Sequence, residues 1–366
     1  PWFYPGNEQR EYLAYCQEKL PQYRMAVEFR HNSWGNEKNA EHRIANLQYK
    51  DQLTGLSNAV ALQQRVLATL EQYKQRQGDH TAALLILDID HFKYVNDTLD
   101  HHIGDRLLMH VADRLHQFVR TQDTLCRQGG DEFKLFLPDT HRETTTQIAQ
   151  KILHAFRESF VVDDHQLYIT VSVGIALYPD DSVELDGLFR CADIALNQAK
   201  NSGKNRFLFH TKSMTNALNE RVVLEQELSL AVQRQQFHLC YQPLVDIKSG
   251  EIDGFEALLR WDHPQLGRIP PTKFIPIAEE NGYIATIGTW VFNQACSDIR
   301  EALDAGINMP PVAINLSPKQ FQNKNMIEEV KETINAHQIS PQNLGIEITE
   351  GVLMNDPLAS QATLME

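Results

Sequence analysis

Six unbroken apolar residues, Ala82-Ala83-Leu84-Leu85-Ile86-Leu87, run straight into Asp88-Ile89-Asp90. A strand of that composition is apolar on both faces, so it predicts a central strand covered by a layer on each side. The fold that follows is a layered α/β domain, and the end of the strand delivers a carboxylate to the sheet edge.

A second feature is Arg127-Gln128-Gly129-Gly130-Asp131-Glu132-Phe133. Leu125 and Arg127 alternate into it, and Phe133, Leu135 and Leu137 alternate out, which reads as a β-hairpin. Gly129 and Gly130 permit φ > 0 and leave no side chain in the way of a ligand, and Asp131 and Glu132 set two carboxylates beside that opening. Taken alone this is an ordinary acidic turn. It becomes a site only if other segments supply metal ligands and phosphate binders.

The neighbouring segments complete the pattern. A turn-rich link at 51–58 opens a helix over 59–77, and Leu107, Leu108, Val111, Leu115, Phe118 and Val119 keep helical spacing up to Arg120. Residues 168–177 form a second apolar strand, and a helix over 184–200 leads to Gly203 and Lys204. Strand, two helices, hairpin, helix, strand, helix, strand is the order of an α+β sandwich of ferredoxin-like kind.

Residues 51–211 resemble the GGDEF family of diguanylate cyclases, a nucleotide-cyclase-like fold. The resemblance rests on Asp51-x-Leu-Thr-Gly-Leu-x-Asn58, Asp88-Ile-Asp-x-Phe-Lys-x-x-Asn96-Asp, His101-x-x-Gly104-Asp105, the stretch from Gly129 to Phe133, Ser172-Val-Gly174-Ile-Ala, and Ala192-Asp193 on to Lys204. It implies condensation of two GTP into cyclic di-GMP, with Asp88, Asp131 and Glu132 as catalytic groups. Mg²⁺ (or Mn²⁺) would be held by Asp88, the Ile89 carbonyl and Asp131, with Glu132 adjacent as ligand or base; such hard cations take oxygen ligands and usually one or two carboxylates. Asn96 and Asp105 match the guanine binders, Lys200 and Lys204 the phosphate-contacting pair, Lys93 a further substrate-binding position, and Gly129 and Gly130 the open tip. Arg120 and Asp123 match the site at which product inhibits, where an Arg fork suits phosphate and guanine edges. The chain departs from the family at Asp100 (usually Gly), Ala59 (usually Arg), Asn197 (often Tyr) and Lys204 (usually Arg).

Downstream, an amphipathic helix from Leu224 leads into four apolar strands around 237–243, 255–261, 312–317 and 344–350, a βα pattern that predicts part of a TIM-type barrel. Glu256, Asn315 and Glu347 each put an oxygen near a strand end. This half resembles the EAL family of cyclic di-GMP phosphodiesterases, which implies Glu256, Asn315 and Glu347 as metal ligands and Gln242 and Arg260 as dinucleotide contacts. The chain stops before that family's paired aspartates, so phosphodiesterase activity is not expected of this half.

Residues 1–38, with Val27-Glu28-Phe29-Arg30-His31-Asn32-Ser33-Trp34, resemble a fragment of the YecE-like barrel family, and 39–50 read as a short lead-in helix. The expected division is therefore 1–38, 39–50, 51–211 and 212–366. The net charge of −14 argues against a general nucleic-acid binder, and no run approaches a membrane span. Five scattered cysteines without a CxxC pair fit a reducing cytoplasm. The expectation is a cytoplasmic, homodimeric diguanylate cyclase in a GGDEF–EAL composite. Two alternatives stand beside it: a module that senses GTP or cyclic di-GMP without turnover, and a phosphodiesterase if the second domain is complete.

Overall fold

The computed structural model describes residues 48–348 except 77, 322 and 324. The fragment assigned to 1–38, most of the lead-in helix and the last two residues of the strand expected at 344–350 lie outside the described residues. The chain divides into two compact units, Pro1–Met214 and Thr215–Glu366.

The first unit runs α1 (Ala59–Gln75), β1 (Ala82–Ile89), α2 (Phe92–Leu99), α3 (His101–His116), β2 (Thr124–Gly129), β3 (Glu132–Pro138), α4 (Arg142–Ala155), β4 (Phe160–Val162), β5 (His165–Leu167), β6 (Val171–Tyr178), α5 (Leu185–Asn201) and β7 (Phe207–Phe209). Its main sheet has the order β2-β3-β1-β6-β7. The apolar run at β1 is central, antiparallel to β3 and to β6. Both faces are covered, as a strand apolar on both sides requires. Ala83, Leu85 and Leu87 join Leu107, Val111 and Leu115 of α3 and Ile148 and Ile152 of α4 in one core. Leu84 and Ile86 face the other way, into Leu62, Val66 and Leu70 of α1 and Leu188, Ala192 and Leu196 of α5. A Cβ at Gly174 would overlap the backbone of Ala192 and Leu196, so α5 rests directly on β6.

Two details differ from the sequence expectation. The strand placed at 168–177 begins only at Val171, and the short hairpin β4–β5 precedes it. That hairpin carries exposed His165 and Gln166, so it lacks the alternation that announces a strand. The helix drawn up to Arg120 ends at His116, with Phe118 and Val119 packed in the turn that follows.

The helix α6 (Lys212–Ala231) runs across the division at Met214, and the second unit continues with β8 (Phe237–Val245), β9 (Ile252–His263), β10 (Gly267–Ile269), α7 (Pro271–Asn281), α8 (Tyr283–Asp304), β11 (Val312–Leu316), α9 (Pro318–Phe321), α10 (Met326–Ala336) and β12 (Leu344–Ile348). β9, β11 and β12 are parallel neighbours joined through helices, the barrel-like βα pattern. No helix separates β8 from β9. They pair antiparallel through a turn closed by Gly250 N donating to Asp246 O at 2.8 Å, because six residues are too few for a crossover. The core of this unit gathers Trp261, Phe237, Phe274 and Ile314.

Candidate functional site

Asp88 is the penultimate residue of β1 and faces Glu132 of β3 and Ser172 of β6. Burial holds its carboxyl above the usual range; Lys200 Nζ, 2.7 Å away on the last turn of α5, opposes this, while the charge of Asp131 adds to it. Ile89 N donates to Asp131 O at 3.4 Å, which ties the strand end to the hairpin. The tip glycines have φ +142 at Gly129 and +54 at Gly130, and a Cβ on either would meet nothing within 4 Å. Backbone conformation requires glycine here, and the space around it stays open.

A guanidinium that sequence reading treated only as a strand residue fixes this tip. Arg127 Nε and Nη2 donate to Gly130 O at 3.0 and 2.8 Å, and its Nη1 donates to Asp51 Oδ1 and Oδ2 at 3.1 and 3.0 Å. Asp51 also accepts from Thr54 N at 2.9 Å and Thr54 Oγ1 at 2.6 Å. The turn after residue 50 and the hairpin tip are thereby one hydrogen-bonded assembly. The available signal was an Arg in an alternating strand with an acid in the upstream turn.

Asp90, visible in the sequence as part of the strand end, has a role that only the fold reveals. It is 4% exposed and accepts from Thr170 Oγ1 and Ser172 Oγ, both at 2.7 Å, and from Asn205 N at 3.0 Å. It is a scaffold carboxylate that fixes the loop carrying Lys204 beside the end of β1. Lys204 itself, at φ +59, brings Nζ to 3.3 Å from His91 Nε2, and Lys93 is exposed on the first turn of α2. Lys200 and Lys204 thus reach the strand end that carries Asp88, Ile89 and Asp90.

Asn96 on α2 and Asp105 on α3 stand on two adjoining helices. Asn96 Oδ1 is buried with no hydrogen-bond partner, and Asp105 is exposed. A Cβ at Gly104 would overlap Asn96 Oδ1, so only glycine leaves room for that amide. Between the helices, Asp100 adopts φ +87, ψ +149 and accepts from His101 N at 2.5 Å. Its backbone explains why glycine is usual there.

Arg120 and Asp123 close a turn away from this edge. Arg120 N donates to Asp123 Oδ2 at 2.8 Å, and Asp123 N donates to Arg120 O at 3.0 Å. Burial raises the Asp123 carboxyl, and its Oδ1 is buried without a partner.

The donor set at the β1 end suits a hard divalent cation: two carboxylates, Asp88 and Asp131, and the Ile89 carbonyl. Among the described residues no three His, Cys, Asp or Glu groups are gathered into a ready-made metal cluster. A site of two carboxylates with room for water and phosphate oxygens is the arrangement Mg²⁺ uses. Lys200 standing on a partly buried Asp88 marks the demand for positive charge at this place. The residues fit Mg²⁺ or Mn²⁺.

In the second unit, Gln242 of β8 faces Glu256 of β9, which faces Ala313 of β11; Asn315, two residues on, faces Glu347 of β12. The period of two sets all of these on one sheet face, with Arg260 four residues beyond Glu256. Asn315 Nδ2 donates to Glu256 Oε1 at 2.7 Å, Glu347 is exposed, and Arg260 Nη1 donates to Leu259 O at 3.0 Å.

The family description "Diguanylate cyclase, GGDEF domain" matches residues 48–206, and "EAL domain" matches 225–366. The chain is 38% identical over 325 residues to the bifunctional diguanylate cyclase/cyclic di-GMP phosphodiesterase MucR of Pseudomonas aeruginosa, covering 89% of this chain and 47% of that protein. It is 32% identical to the cyclic di-GMP phosphodiesterase NbdA of the same species, covering 92% of this chain and 43% of that one. The chain thus spans less than half the length of these relatives. The solved S helix-GGDEF-EAL structure of Vibrio cholerae LapD, bound to c-di-GMP, shares the fold at a TM-score of 0.51 and 18% identity, over 89% of this chain and 76% of that one. Relatives named as phosphodiesterases leave the expectation of an inactive second domain without support. Among the described residues no helix is long and apolar enough to cross a membrane. The chain belongs to the GGDEF–EAL proteins, with a GGDEF domain at 48–206 followed by an EAL domain at 225–366.

Proposed function

We propose that the first unit is a diguanylate cyclase that condenses two GTP into cyclic di-GMP, each GTP held by one protomer of a homodimer in the cytoplasm. The observation that carries this reading is Asn96, whose buried Oδ1 lacks a partner and is given room by Gly104. A buried amide oxygen without a hydrogen bond is unfavourable by about 1–3 kcal/mol, so its retention calls for a ligand donor, and the guanine amino and N1–H groups are donors of that kind. Asp105 accepts beside it. Asp88, Asp131 and the Ile89 carbonyl would hold Mg²⁺ or Mn²⁺, which when bound would neutralise triphosphate charge and help activate the attacking 3′-hydroxyl. Lys93, Lys200 and Lys204 would bind phosphate oxygens, Lys200 from its place beside Asp88. Gly129 and Gly130 let the triphosphate approach the backbone, and Glu132 lies beside the reacting groups. Arg120 and Asp123 bind product and slow the reaction.

The test is incubation of the protein with GTP and Mg²⁺, with cyclic di-GMP read by chromatography. Product is expected, Asp131→Ala abolishes it, and Arg120→Ala relieves inhibition by added product. GTP binding without any product would favour a sensor over an enzyme.

A second activity in the EAL domain is supported by the contact of Asn315 with Glu256 and by the names of the relatives. In this reading Glu256, Asn315 and Glu347 hold a divalent metal, while Gln242 and Arg260 contact cyclic di-GMP. Added cyclic di-GMP is expected to be opened to the linear dinucleotide, and Glu256→Gln to stop this while leaving synthesis from GTP intact. Failure of the wild type to open it would remove this activity from the described chain.

A further inference from the structure

Lys134 is a buried lysine on the central sheet, 5% exposed, set between Ile86 of β1 and Cys126 of β2. Lysine is almost never fully buried unless paired. Its Nζ lies 3.2 Å from Glu132 Oε1 on the same face of β3 and 4.8 Å over the Phe189 ring of α5. Asp193, one turn further along α5, is a second carboxylate beside it. Burial raises the Asp193 carboxyl; Lys134 opposes this and Glu132 adds to it. The fold does not ask for a cation here, since Leu84, Ile86, Cys126 and Phe136 on this face are apolar. The reason for the charge lies with the carboxylates.

Those carboxylates crowd one sheet edge. Glu132 stands opposite Asp88, and Asp131 is its chain neighbour. Each of the two facing acids has its own lysine: Lys200 on Asp88 and Lys134 on Glu132. The two lysines differ in freedom, with side chains 32% and 6% exposed. Lys200 can leave when another cation arrives, whereas Lys134 is walled in. We propose that Lys134 is a positioning residue of the GTP site, a permanent counter-ion that holds Glu132 along β3 towards α5 and keeps it out of the metal-facing pair Asp88 and Asp131. The inference rests on the cyclase reading of this site. Without Lys134, Glu132 is free to turn to the metal, which then binds more tightly while the site turns over more slowly.

The experiment compares wild type, Lys134→Met and Lys134→Arg in the full chain. Mn²⁺ affinity is read from the paramagnetic resonance of free Mn²⁺, which requires no turnover. Lys134→Met is expected to bind Mn²⁺ about five-fold more tightly, since a nearby positive charge is gone and a carboxylate is freed. It is expected to form cyclic di-GMP about ten-fold more slowly at saturating GTP, with KM for GTP within about two-fold, because misplacing one group lowers kcat without loosening the substrate. Lys134→Arg keeps the positive charge beside Glu132 and is expected to hold the Mn²⁺ affinity within about two-fold of wild type. Unchanged Mn²⁺ affinity in Lys134→Met overturns the proposal, as does a change in that affinity that Lys134→Arg shares in full. If the wild type makes no cyclic di-GMP, the cyclase reading fails while the Mn²⁺ comparison still decides the role of Lys134. Should Lys134→Met fail to fold, the double variant Glu132→Gln/Lys134→Met removes the freed carboxylate. Its Mn²⁺ affinity is expected to match wild type, and tight binding in the double variant would overturn the proposal.

Discussion

Asp100 sits at φ +87, ψ +149, a region essentially confined to glycine, where another residue is strained by about 1–3 kcal/mol. Its side chain accepts from the adjacent His101 N, not from a donor further into α3, so little capping is gained in return. Asp100→Gly is therefore expected to stabilise the first unit by about 1 kcal/mol, read as a higher urea midpoint with unchanged slope. A lower midpoint would mean that the Asp100 carboxylate is worth more than the strain. Gly104 tests the same pocket from the other side. Gly104→Ala puts a methyl group on Asn96 Oδ1 and is expected to raise KM for GTP about ten-fold or more while the far-ultraviolet circular dichroism stays that of wild type. Equal KM for the two proteins would remove Asn96 from base recognition.

At the scale of elements, the β2–β3 hairpin and the turn at Asp51 are held together by Arg127. Burial alone would raise the Asp51 carboxyl, but hydrogen bonds from Thr54 and the Arg127 guanidinium outweigh it and hold Asp51 below the usual carboxylate range. A carboxylate depressed on folding contributes stability that is present above its unfolded value, about pH 3.9, and is lost as pH falls through the folded value. Asp51→Asn is thus expected to flatten the loss of stability below about pH 4, measured by urea unfolding between pH 3 and 7. An acid limb as steep as wild type would show that Asp51 is not the group lost there. These contacts also mark what a sequence can carry. The glycine tip, β1 and its terminal carboxylates were legible, because an apolar run ending in Asp88-Ile89-Asp90 has few other solutions. The partnerships of Arg127 with Asp51 and of Asp90 with Thr170 and Ser172 were not, since they join residues 76, 80 and 82 positions apart, a separation that periodicity cannot report. The β4–β5 hairpin was missed because its strands are three residues each, Phe160-Val161-Val162 wholly apolar and His165-Gln166-Leu167 mostly polar, too short for a period to show.

At the scale of the whole molecule, a GGDEF domain and an EAL domain are two compact units, each with its own apolar core. Two cores of this size supply two independent sources of folding free energy, so ligand linkage should act on each unit by itself. A ligand that binds only the folded form stabilises by about 2.7 kcal/mol at a hundred times its Kd. GTP with Mg²⁺ at that excess is accordingly expected to raise the melting temperature of one calorimetric transition by about 5–10 °C, at roughly 2–4 °C per kcal/mol for a domain of this size, and to leave the other in place. Asp131→Ala should abolish that shift in part, by weakening the metal, and Gly104→Ala by weakening the base. Glu256→Gln should leave it unchanged, since Glu256 belongs to the other unit and shares its contacts with Asn315. A single transition that moves as one with GTP would mean that the two units unfold together, and nucleotide bound at one site would then be felt at the other.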